Sequence, residues 1–392
     1  MAASKQVMLV STVPYFMVAQ LGAVIRYFLD HGLHVTVVTS PSPGKELDEL
    51  PIHENLQIIT FPIPRKISPR DDLKAFFALY RIFRSRHIDL LHSTTPKAGL
   101  LCALAARLAG VKIRLHTFTG QPWVTRKGLM RVVMRASDRV IVSLTTHCYA
   151  DSPSQRDFLL QEGIARPEQI GVVGYGSLGG VDTARFSTTR WRPEQKYAMR
   201  KEWNISDDCF VIVYIGRISI DKGINELLTA FDAFQQSKNS RLLLVGPTDK
   251  DGVELLKRAK MQNNVSCLGY REDPERFLAI ADILCLPSYR EGFGTVVIEA
   301  ASMGVPTVGT RIPGLVDAVE DGVTGKLVQA RDAGQLQHSF FELADGRELL
   351  ARMGEQARQR AHRLFSCDVV GQALLSEYER WWKGAPNRHK VL

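Results

Sequence analysis

The chain has 392 residues, of which 45% are hydrophobic and 23% charged, and its formal net charge at pH 7 is +9. This composition is that of a globular protein and excludes a disordered chain, and the length favours two domains over one. No run approaches the roughly 18 uninterrupted apolar residues of a membrane span, and the apolar run after Lys5 is too short for a signal peptide, so we expect a cytoplasmic protein.

The first half of the sequence alternates strand-like with helix-like runs. Aliphatic and β-branched runs predict strands at Val7–Val10, His34–Thr39, Leu56–Phe61, Ile88–His92, Lys112–His116, Arg139–Ser143 and Gln169–Val173. Intervening amphipathic runs predict helices near Met17–His31, Asp71–Arg86, Ala98–Ala109, Arg126–Ser137 and Pro153–Glu162. This alternation is typical of a parallel sheet with crossover helices.

A polar segment at Ser187–Asp208 interrupts the alternation, which then restarts. Strands are predicted at Phe210–Ile215, Arg241–Val245, Val265–Leu268, Ile283–Pro287, Thr307–Thr310 and Lys326–Val328, with helices between them. We therefore predict an α/β protein with two doubly wound domains, residues 1–185 and 186–366. Such domains bind ligands at the carboxyl ends of their strands, so a cleft between the two is the expected site.

The last predicted helix, Val369–Lys383, contains two adjacent tryptophans. We expect this C-terminal segment, residues 367–392, to pack back towards the first domain. A plain terminal helix is the alternative.

Gly174, Gly176 and Gly179 match the dinucleotide fingerprint G-x-G-x-x-G after a predicted strand. That fingerprint requires a helix to begin at the glycines, so that the helix N-terminus faces a pyrophosphate. No amphipathic run follows here. We therefore interpret this segment as an interdomain turn and not as a nicotinamide site.

Two loops in the second half carry a stronger pattern. Arg217 and Lys222 follow a predicted strand and precede the predicted helix Ile224–Phe231. A planar guanidinium and a point charge at the carboxyl end of a strand suit a diphosphate. A solvated loop with incidental charges is the alternative.

The second loop begins at Glu291 and leads into the predicted helix Thr295–Met303. Its two glycines, Gly292 and Gly294, permit close approach of the backbone to a ligand, and the helix N-terminus favours an anion. Glu299 lies one turn into an otherwise apolar helix, where a carboxylate needs a partner such as a ribose diol. A glutamate at the edge of the core, paired to a basic side chain, is the alternative.

Several short motifs of the second half occur in a fixed order. They are Gly216-Arg217, Lys222-Gly223, Pro287-Ser288, Glu291 and Glu299 with seven residues between them, Gly304-Val-Pro306, and Asp321-Gly-Val-Thr-Gly325. In this order and spacing, most of the second domain resembles the retaining, metal-independent glycosyltransferases of family four. That family has the GT-B fold, in which two Rossmann-like domains face each other across a cleft.

The resemblance implies roles for individual residues. Arg217 and Lys222 would hold the diphosphate of a nucleotide-sugar donor, and Glu299 would bind its ribose. Glu291 and the Gly292–Gly294 backbone would hold the transferred sugar. The expected donor site comprises Gly216, Arg217, Lys222, Glu291, Gly292, Phe293, Gly294, Thr295, Val296 and Glu299, and Arg217, Lys222 and Glu291 are also expected to be catalytic.

The first domain departs from the family pattern, because its first loop, Ser11–Phe16, has no glycine. His116 looks like the family's cleft histidine and is expected to be catalytic, although the usual His-Gly pairing is absent. A satisfied histidine at a strand end is the alternative. The expected acceptor side comprises Thr12, Lys97, His116 and Thr119. The loops around His92 and His116 resemble the branch that builds bacterial surface polysaccharide and lipopolysaccharide on polyprenyl-linked acceptors.

Basic residues accompany aliphatic ones in the segment Arg126–Arg135. Further basic residues lie earlier in the first domain, namely Arg65, Lys66, Arg70, Lys74, Arg81, Arg84 and Arg86. Basic amphipathic helices bind anionic membrane surfaces, which predicts peripheral association with the inner face of the cell membrane. A helix that buries its apolar face in its own domain is the alternative.

We therefore expect a retaining hexosyl- or N-acetylhexosaminyltransferase that uses a nucleotide sugar, most simply a UDP-sugar, and a lipid-linked or glycan acceptor. The resemblance implies that no metal or other cofactor is required. Nucleic-acid binding, suggested by the charge, is a weaker hypothesis because the basic residues lie beside aliphatic rather than aromatic side chains. A nucleotide-sugar epimerase is a further hypothesis, but this sequence lacks the helix that must follow the fingerprint and a suitably placed Tyr-x-x-x-Lys pair.

Overall fold

Two parallel β-sheets, one in each half of the chain, organise the fold. The computed structural model describes residues 5–42, 44, 46–64 and 68–384. The chain divides into a first unit, Met1–Gly180 with Cys367–Leu392, and a second unit, Val181–Ser366. The first unit ends at Gly180, five residues before the boundary that the sequence predicts at residue 185. The C-terminal helix belongs to the first unit again.

The first unit holds seven parallel strands in the order β3-β2-β1-β4-β5-β6-β7. The strands are β1 Gln6–Val10, β2 His34–Thr39, β3 Leu56–Thr60, β4 Leu90–Thr94, β5 Arg114–Phe118, β6 His147–Ala150 and β7 Ile170–Val172. The helices are α1 Pro14–Asp30, α2 Pro69–Ser85, α3 Pro96–Ala109, α4 Gly128–Leu144 and α5 Pro153–Gln161. The inner strands β1, β4 and β6 are buried almost throughout, because helices cover both faces of a parallel sheet.

One predicted strand of the first unit is wrong. Arg139–Ser143 lies in the second half of α4 and not in the sheet. The true strand β6 begins at His147, after the turn at Thr145 and Thr146. The run Val-Ile-Val has strand-like composition, but Asp138, Ile141 and Val142 are the buried residues of the helix and follow helical spacing.

The C-terminal helix α14, Cys367–Trp382, packs against α1 of the first unit. Its Tyr378 hydroxyl lies 2.6 Å from Nδ1 of the buried His92, whose Nε2 lies 2.7 Å from the Thr117 hydroxyl. The Trp381 indole N–H donates to the Tyr149 hydroxyl at 2.9 Å. Buried aromatic and polar contacts thus hold this helix on the first unit.

The second unit holds six parallel strands in the order β10-β9-β8-β11-β12-β13. The strands are β8 Phe210–Ile215, β9 Ser240–Val245, β10 Val265–Gly269, β11 Ile283–Leu286, β12 Thr307–Thr310 and β13 Gly325–Val328. The helices are α6 Pro193–Glu202, α7 Ile224–Gln235, α8 Val253–Lys260, α9 Pro274–Leu278, α10 Thr295–Ser302, α11 Leu315–Ala318, α12 Ala333–Asp345 and α13 Arg347–Phe365.

Strand β8 lies at the centre of the second sheet, between β9 and β11. Because parallel strands end at the same edge of the sheet, the loops that follow β8 and β11 lie side by side. This is the edge at which the sequence places the donor-site motifs.

The segment with the dinucleotide-like glycines follows β7 and leads to the crossing between the units. Gly174, Gly176 and Gly180 have positive φ, and no helix begins at the glycines.

Among the residues that the structure describes, no helix is both long and apolar enough to cross a membrane.

Candidate functional site

Arg217 stands at the carboxyl end of the central strand β8. Its carbonyl oxygen accepts a hydrogen bond from the hydroxyl of the buried Tyr214 at 2.6 Å, and its guanidinium pairs with Asp249. The preceding Gly216 lies close to Gly246, where a side chain would meet the Gly216 carbonyl oxygen at 1.9 Å. These contacts fix the backbone and leave the Arg217 side chain 40% exposed, which is accessible to a ligand.

Lys222 and Glu291 form an ion pair between the two loops. The Lys222 ammonium lies 2.5 Å from a Glu291 carboxylate oxygen that also accepts from the Ser288 hydroxyl at 2.7 Å. Gly223, with φ of +67°, ends the short turn that holds Lys222, and a Cβ there would lie 2.0 Å from the Pro287 carbonyl oxygen. A glycine is therefore needed for the two loops to approach this closely.

A second ion pair joins the residues immediately before the first. Arg290 donates to Asp221 at 3.0 Å, and the Tyr289 N–H donates to the Asp221 carbonyl oxygen at 2.9 Å. Burial raises the pKa of Asp221, but the Ser219 hydroxyl and the neighbouring cations outweigh it and hold the pKa below its usual range. Asp221 is therefore ionised at neutral pH.

The glycine segment leads directly into α10. Gly294 caps this helix in the left-handed conformation, with φ of +87°. A side chain at Gly314 would lie 2.3 Å from the Gly292 carbonyl oxygen, so the two backbones pack closely. Phe293 is buried against Phe365, with ring centroids 5.1 Å apart.

Thr295 and Val296 form the first turn of α10 and remain partly exposed. The peptide dipoles of a helix favour negative charge at its N-terminus. An anion placed beside this turn would face the same sheet edge as the cations that follow β8.

Glu299 lies on α10, one turn beyond these residues. Burial raises its pKa to about 7; Arg185 lowers it, and Glu275 raises it further. The residue as a whole is only partly buried. A carboxylate held in this way gains most from a ligand that donates hydrogen bonds to it.

Three of the four predicted acceptor residues follow strands that are adjacent in the first sheet. Thr12, after β1, shares a hydrogen bond with Thr95, with 3.1 Å between their hydroxyl oxygens. Lys97 lies in the first turn of α3 after β4, and its ammonium pairs with Asp72 at 2.6 Å. Thr119 follows β5 and is partly exposed. Their role towards an acceptor stays a prediction.

His116 does not lie with these residues. Its ring is buried beneath α3, 1% exposed, and its Nδ1 lies 3.0 Å from the Ser93 hydroxyl. A Cβ on Gly99 would lie 2.4 Å from the His116 ring, so the glycine makes room for it. Burial lowers the pKa of His116 to about 3, which leaves the ring neutral. The ring is thus closed off from solvent in this structure, and the catalytic role of His116 stays a prediction.

Comparisons with known proteins bear on both units. Residues 17–176 match the family of glycosyl transferase 4-like domains, and residues 195–360 match the glycosyl transferases group 1. A capsular polysaccharide biosynthesis glycosyltransferase, CapM of Staphylococcus aureus, is 30% identical over 92% of this chain and 93% of its own length.

The chain is a group 1 glycosyltransferase.

Two further proteins place the transferase among its relatives. A UDP-Gal:alpha-D-GlcNAc-diphosphoundecaprenol alpha-1,3-galactosyltransferase of Escherichia coli is 26% identical, covering 73% of this chain and 74% of its own length. The crystal structure of Anabaena HepE with UDP and glucose superposes with a TM-score of 0.81 at 19% identity, covering 95% of this chain and 99% of that one. The fold of the transferase is therefore GT-B, built from two Rossmann-like α/β domains.

The sequence motifs group Arg217, Lys222 and Glu291 but do not reveal the ion pair between Asp221 and Arg290. A signal was present, since one loop carries an acid followed by a cation and the other a cation followed by an acid. The pairing joins residues far apart in the sequence and is visible only when β8 and β11 are neighbours.

In the part of the transferase that the structure describes, no group of three or more His, Cys, Asp or Glu side chains could hold a metal ion.

Proposed function

We propose that this transferase moves a hexose or N-acetylhexosamine from a UDP-sugar to a polyprenyl-linked or glycan acceptor in the synthesis of bacterial surface polysaccharide. The observation that carries the proposal is the meeting of Arg217, Lys222 and Glu291 at one sheet edge, beside the N-terminus of α10. The curated relatives support the acceptor class, because one acts on a diphosphoundecaprenol-linked sugar and another in capsular polysaccharide biosynthesis.

In the proposed donor complex, the diphosphate lies against Arg217, Lys222 and the first turn of α10, formed by Thr295 and Val296. Binding replaces part of the Lys222–Glu291 ion pair with contacts to phosphate oxygens. Glu291 is then available to the hydroxyls of the transferred sugar, beside the backbone of Gly292–Gly294. Glu299 accepts hydrogen bonds from the ribose.

We propose a front-face transfer that retains the anomeric configuration. The bond from the anomeric carbon to the diphosphate oxygen breaks, and the acceptor oxygen bonds to the same face of that carbon. The departing diphosphate takes the proton of the acceptor hydroxyl. Arg217, Lys222 and the helix N-terminus stabilise the charge that develops on the leaving group, so the proposal needs no metal ion.

Glu291 and Glu299 are poorly suited to act as the nucleophile and acid of a retaining glycosidase. Glu291 is already bonded to Lys222 and Ser288, while Glu299 lies a full turn inside α10. Two carboxyl groups in that mechanism flank the scissile bond and face each other across it. The pattern therefore favours donor positioning by both residues.

We also propose that the outer face of α4 binds an anionic membrane surface, where a lipid-linked acceptor resides. Leu129 is 78% exposed and Val132 63% exposed, and Met130 and Val133 are exposed beside them. Exposed cations accompany these side chains, namely Arg126, Lys127 and Arg139, whereas Arg131 and Arg135 pair with Glu162 of their own unit. Apolar side chains flanked by cations suit the interface of an anionic bilayer. The predicted contributions of Arg65 and Lys66 lie outside the described residues.

The test is a screen of nucleotide sugars against polyprenyl-diphosphate-linked acceptors, read by mass spectrometry. We expect one UDP-sugar to give a mass increase of one sugar residue, undiminished by EDTA. The anomeric coupling constant of the product, measured by NMR, should match that of the donor. Transfer with inversion would contradict the front-face mechanism, and transfer only from donors other than UDP-sugars would contradict the nucleotide assignment.

A further inference from the structure

Two ion pairs cross between the same two loops of the second unit, and they differ in surroundings. The inner pair joins Lys222 and Glu291, whose side chains are 13% and 15% exposed. The outer pair joins Asp221 and Arg290, which are 20% and 19% exposed. One loop carries an acid and then a cation, and the other carries a cation and then an acid. Each residue therefore lies opposite a residue of the other charge.

The outer pair is reinforced by a main-chain hydrogen bond between the loops at Asp221, although its ionic contact, at 3.0 Å, is longer than the inner one, at 2.5 Å. Asp221 accepts from Arg290 through one carboxylate oxygen and from the Ser219 hydroxyl through the other, at 2.6 Å. Its carbonyl oxygen also accepts from the Tyr289 backbone N–H. Asp221 therefore connects the two loops through both its side chain and its main chain.

The inner pair has only side-chain contacts across the loops. The Lys222 ammonium reaches Glu291, which is also held by Ser288 from its own loop. An ammonium is a compact charge on a flexible stem, so Lys222 can exchange a carboxylate for a phosphate with little movement of its backbone. The planar guanidinium of Arg290, bonded to an anchored carboxylate, is less easily exchanged.

We propose that Asp221 and Arg290 are positioning residues for the donor reaction. Their pair stays closed while the Lys222–Glu291 pair opens to admit the donor, and it keeps Lys222 and Glu291 at the spacing that the diphosphate and the sugar require. The inference rests on the proposed function, and it assigns to Arg290 a role through Asp221 and not a contact with the donor.

The alternative for Arg290 is a third cation on the diphosphate. In that arrangement Lys222 and Arg290 would both bind the ligand. Asp221 and Glu291 would then lose their cationic partners. Two carboxylates would then repel the incoming diphosphate. A closed outer pair avoids this repulsion, since the charge of Asp221 stays compensated throughout.

The test compares steady-state kinetics of the full chain carrying Asp221→Asn, Arg290→Gln, both together, or Arg290→Lys. The matched control is Lys326→Gln, which breaks an ion pair of similar exposure, with Glu342 at 2.6 Å, elsewhere in the second unit. Rates are normalised to the folded fraction measured by circular dichroism. The donor is the UDP-sugar that the wild-type chain uses.

Each single substitution should lower kcat about 10- to 100-fold and change the donor KM less than about threefold, because positioning acts mainly in the transition state. The double variant should be no slower than the slower single one, because both substitutions remove the same pair. Arg290→Lys should recover part of the loss, and Lys326→Gln should match the wild type.

Three results would overturn the proposal while the proposed function stands: wild-type kinetics in both single variants, losses that multiply in the double variant, or a raised donor KM at unchanged kcat in Arg290→Gln. The last would make Arg290 a donor ligand. Absence of sugar transfer by the wild-type chain would instead overturn the proposed function and this inference with it.

Discussion

Glu299 combines a position on a buried helix with a pKa raised to about 7 from its ordinary value of 4.5. Between these two values the folded chain keeps a proton that the unfolded chain has lost. The protonated carboxyl therefore contributes stability that is present in mild acid and disappears as the pH rises through 7.

We predict that Glu299→Gln, which does not titrate, has a flatter dependence of stability on pH. The unfolding midpoint of the wild type, relative to that of the variant, should fall between about pH 5 and pH 8. Thermal unfolding followed by circular dichroism measures it, and the exposed Glu348→Gln is the control. A difference that stays constant or grows with pH would contradict the raised pKa.

The sequence could group the residues of the proposed donor site because their short motifs stand at predicted strand ends; that they bind a donor stays a prediction. Lys222 and Glu291 each follow a strand, and Gly223 shows where the chain must turn. His116 also ends a strand, yet its ring lies beneath α3, in space left by Gly99. The burial of the His116 ring depends on a glycine of another element, Gly99 of α3, and no local sequence pattern around His116 reveals that contact.

At the scale of single elements, α14 depends on polar contacts inside the first unit. Burial lowers the pKa of His92 to about 3, so its ring is neutral, and both ring nitrogens have hydroxyl partners, from Tyr378 and Thr117. Loss of one partner would leave a buried polar atom unsatisfied.

We therefore predict that Tyr378→Phe lowers the free energy of unfolding by about 1–3 kcal/mol. The matched substitution Tyr175→Phe, at a tyrosine that is 61% exposed, should change it by less than about 0.5 kcal/mol. Urea unfolding measures both. Equal effects of the two substitutions would show that the contact between Tyr378 and His92 does not stabilise the helix.

Helix α4 shows where composition misleads. Its second half contains the β-branched run that predicts a strand, while its first half exposes apolar side chains that an amphipathic helix ordinarily buries. The second half is explained by its buried face, and the exposed apolar side chains of the first half are understandable if the outer face of α4 meets an apolar environment.

We predict that Leu129→Asp weakens binding to vesicles of anionic phospholipid at least about tenfold, since it removes an apolar contact and adds a repelled charge. Met261→Asp is the matched control, because Met261 is also 78% exposed but lies in the second unit. Co-sedimentation measures binding, which should also weaken with added salt. Equal binding by both variants would contradict a membrane role for α4.

At the scale of the whole molecule, the alternation of strands and helices predicted two α/β units, and the comparisons confirm the GT-B fold. The sequence predicts all six strands of the second unit, because each is a short run that contains aliphatic or β-branched residues. Strand order and the pairing of distant loops could not be predicted from composition, since they depend on which strands become neighbours.

Replacement of Lys222 by Ala tests most directly that the second unit is a donor site built on paired charges. Turnover of the UDP-sugar, measured as kcat/KM, should fall at least about 100-fold, because a charge that stabilises the leaving group is lost. The unfolding midpoint should stay close to that of Lys326→Ala, a control that loses an ion pair elsewhere in the same unit. Wild-type turnover by a folded Lys222→Ala variant would contradict the account.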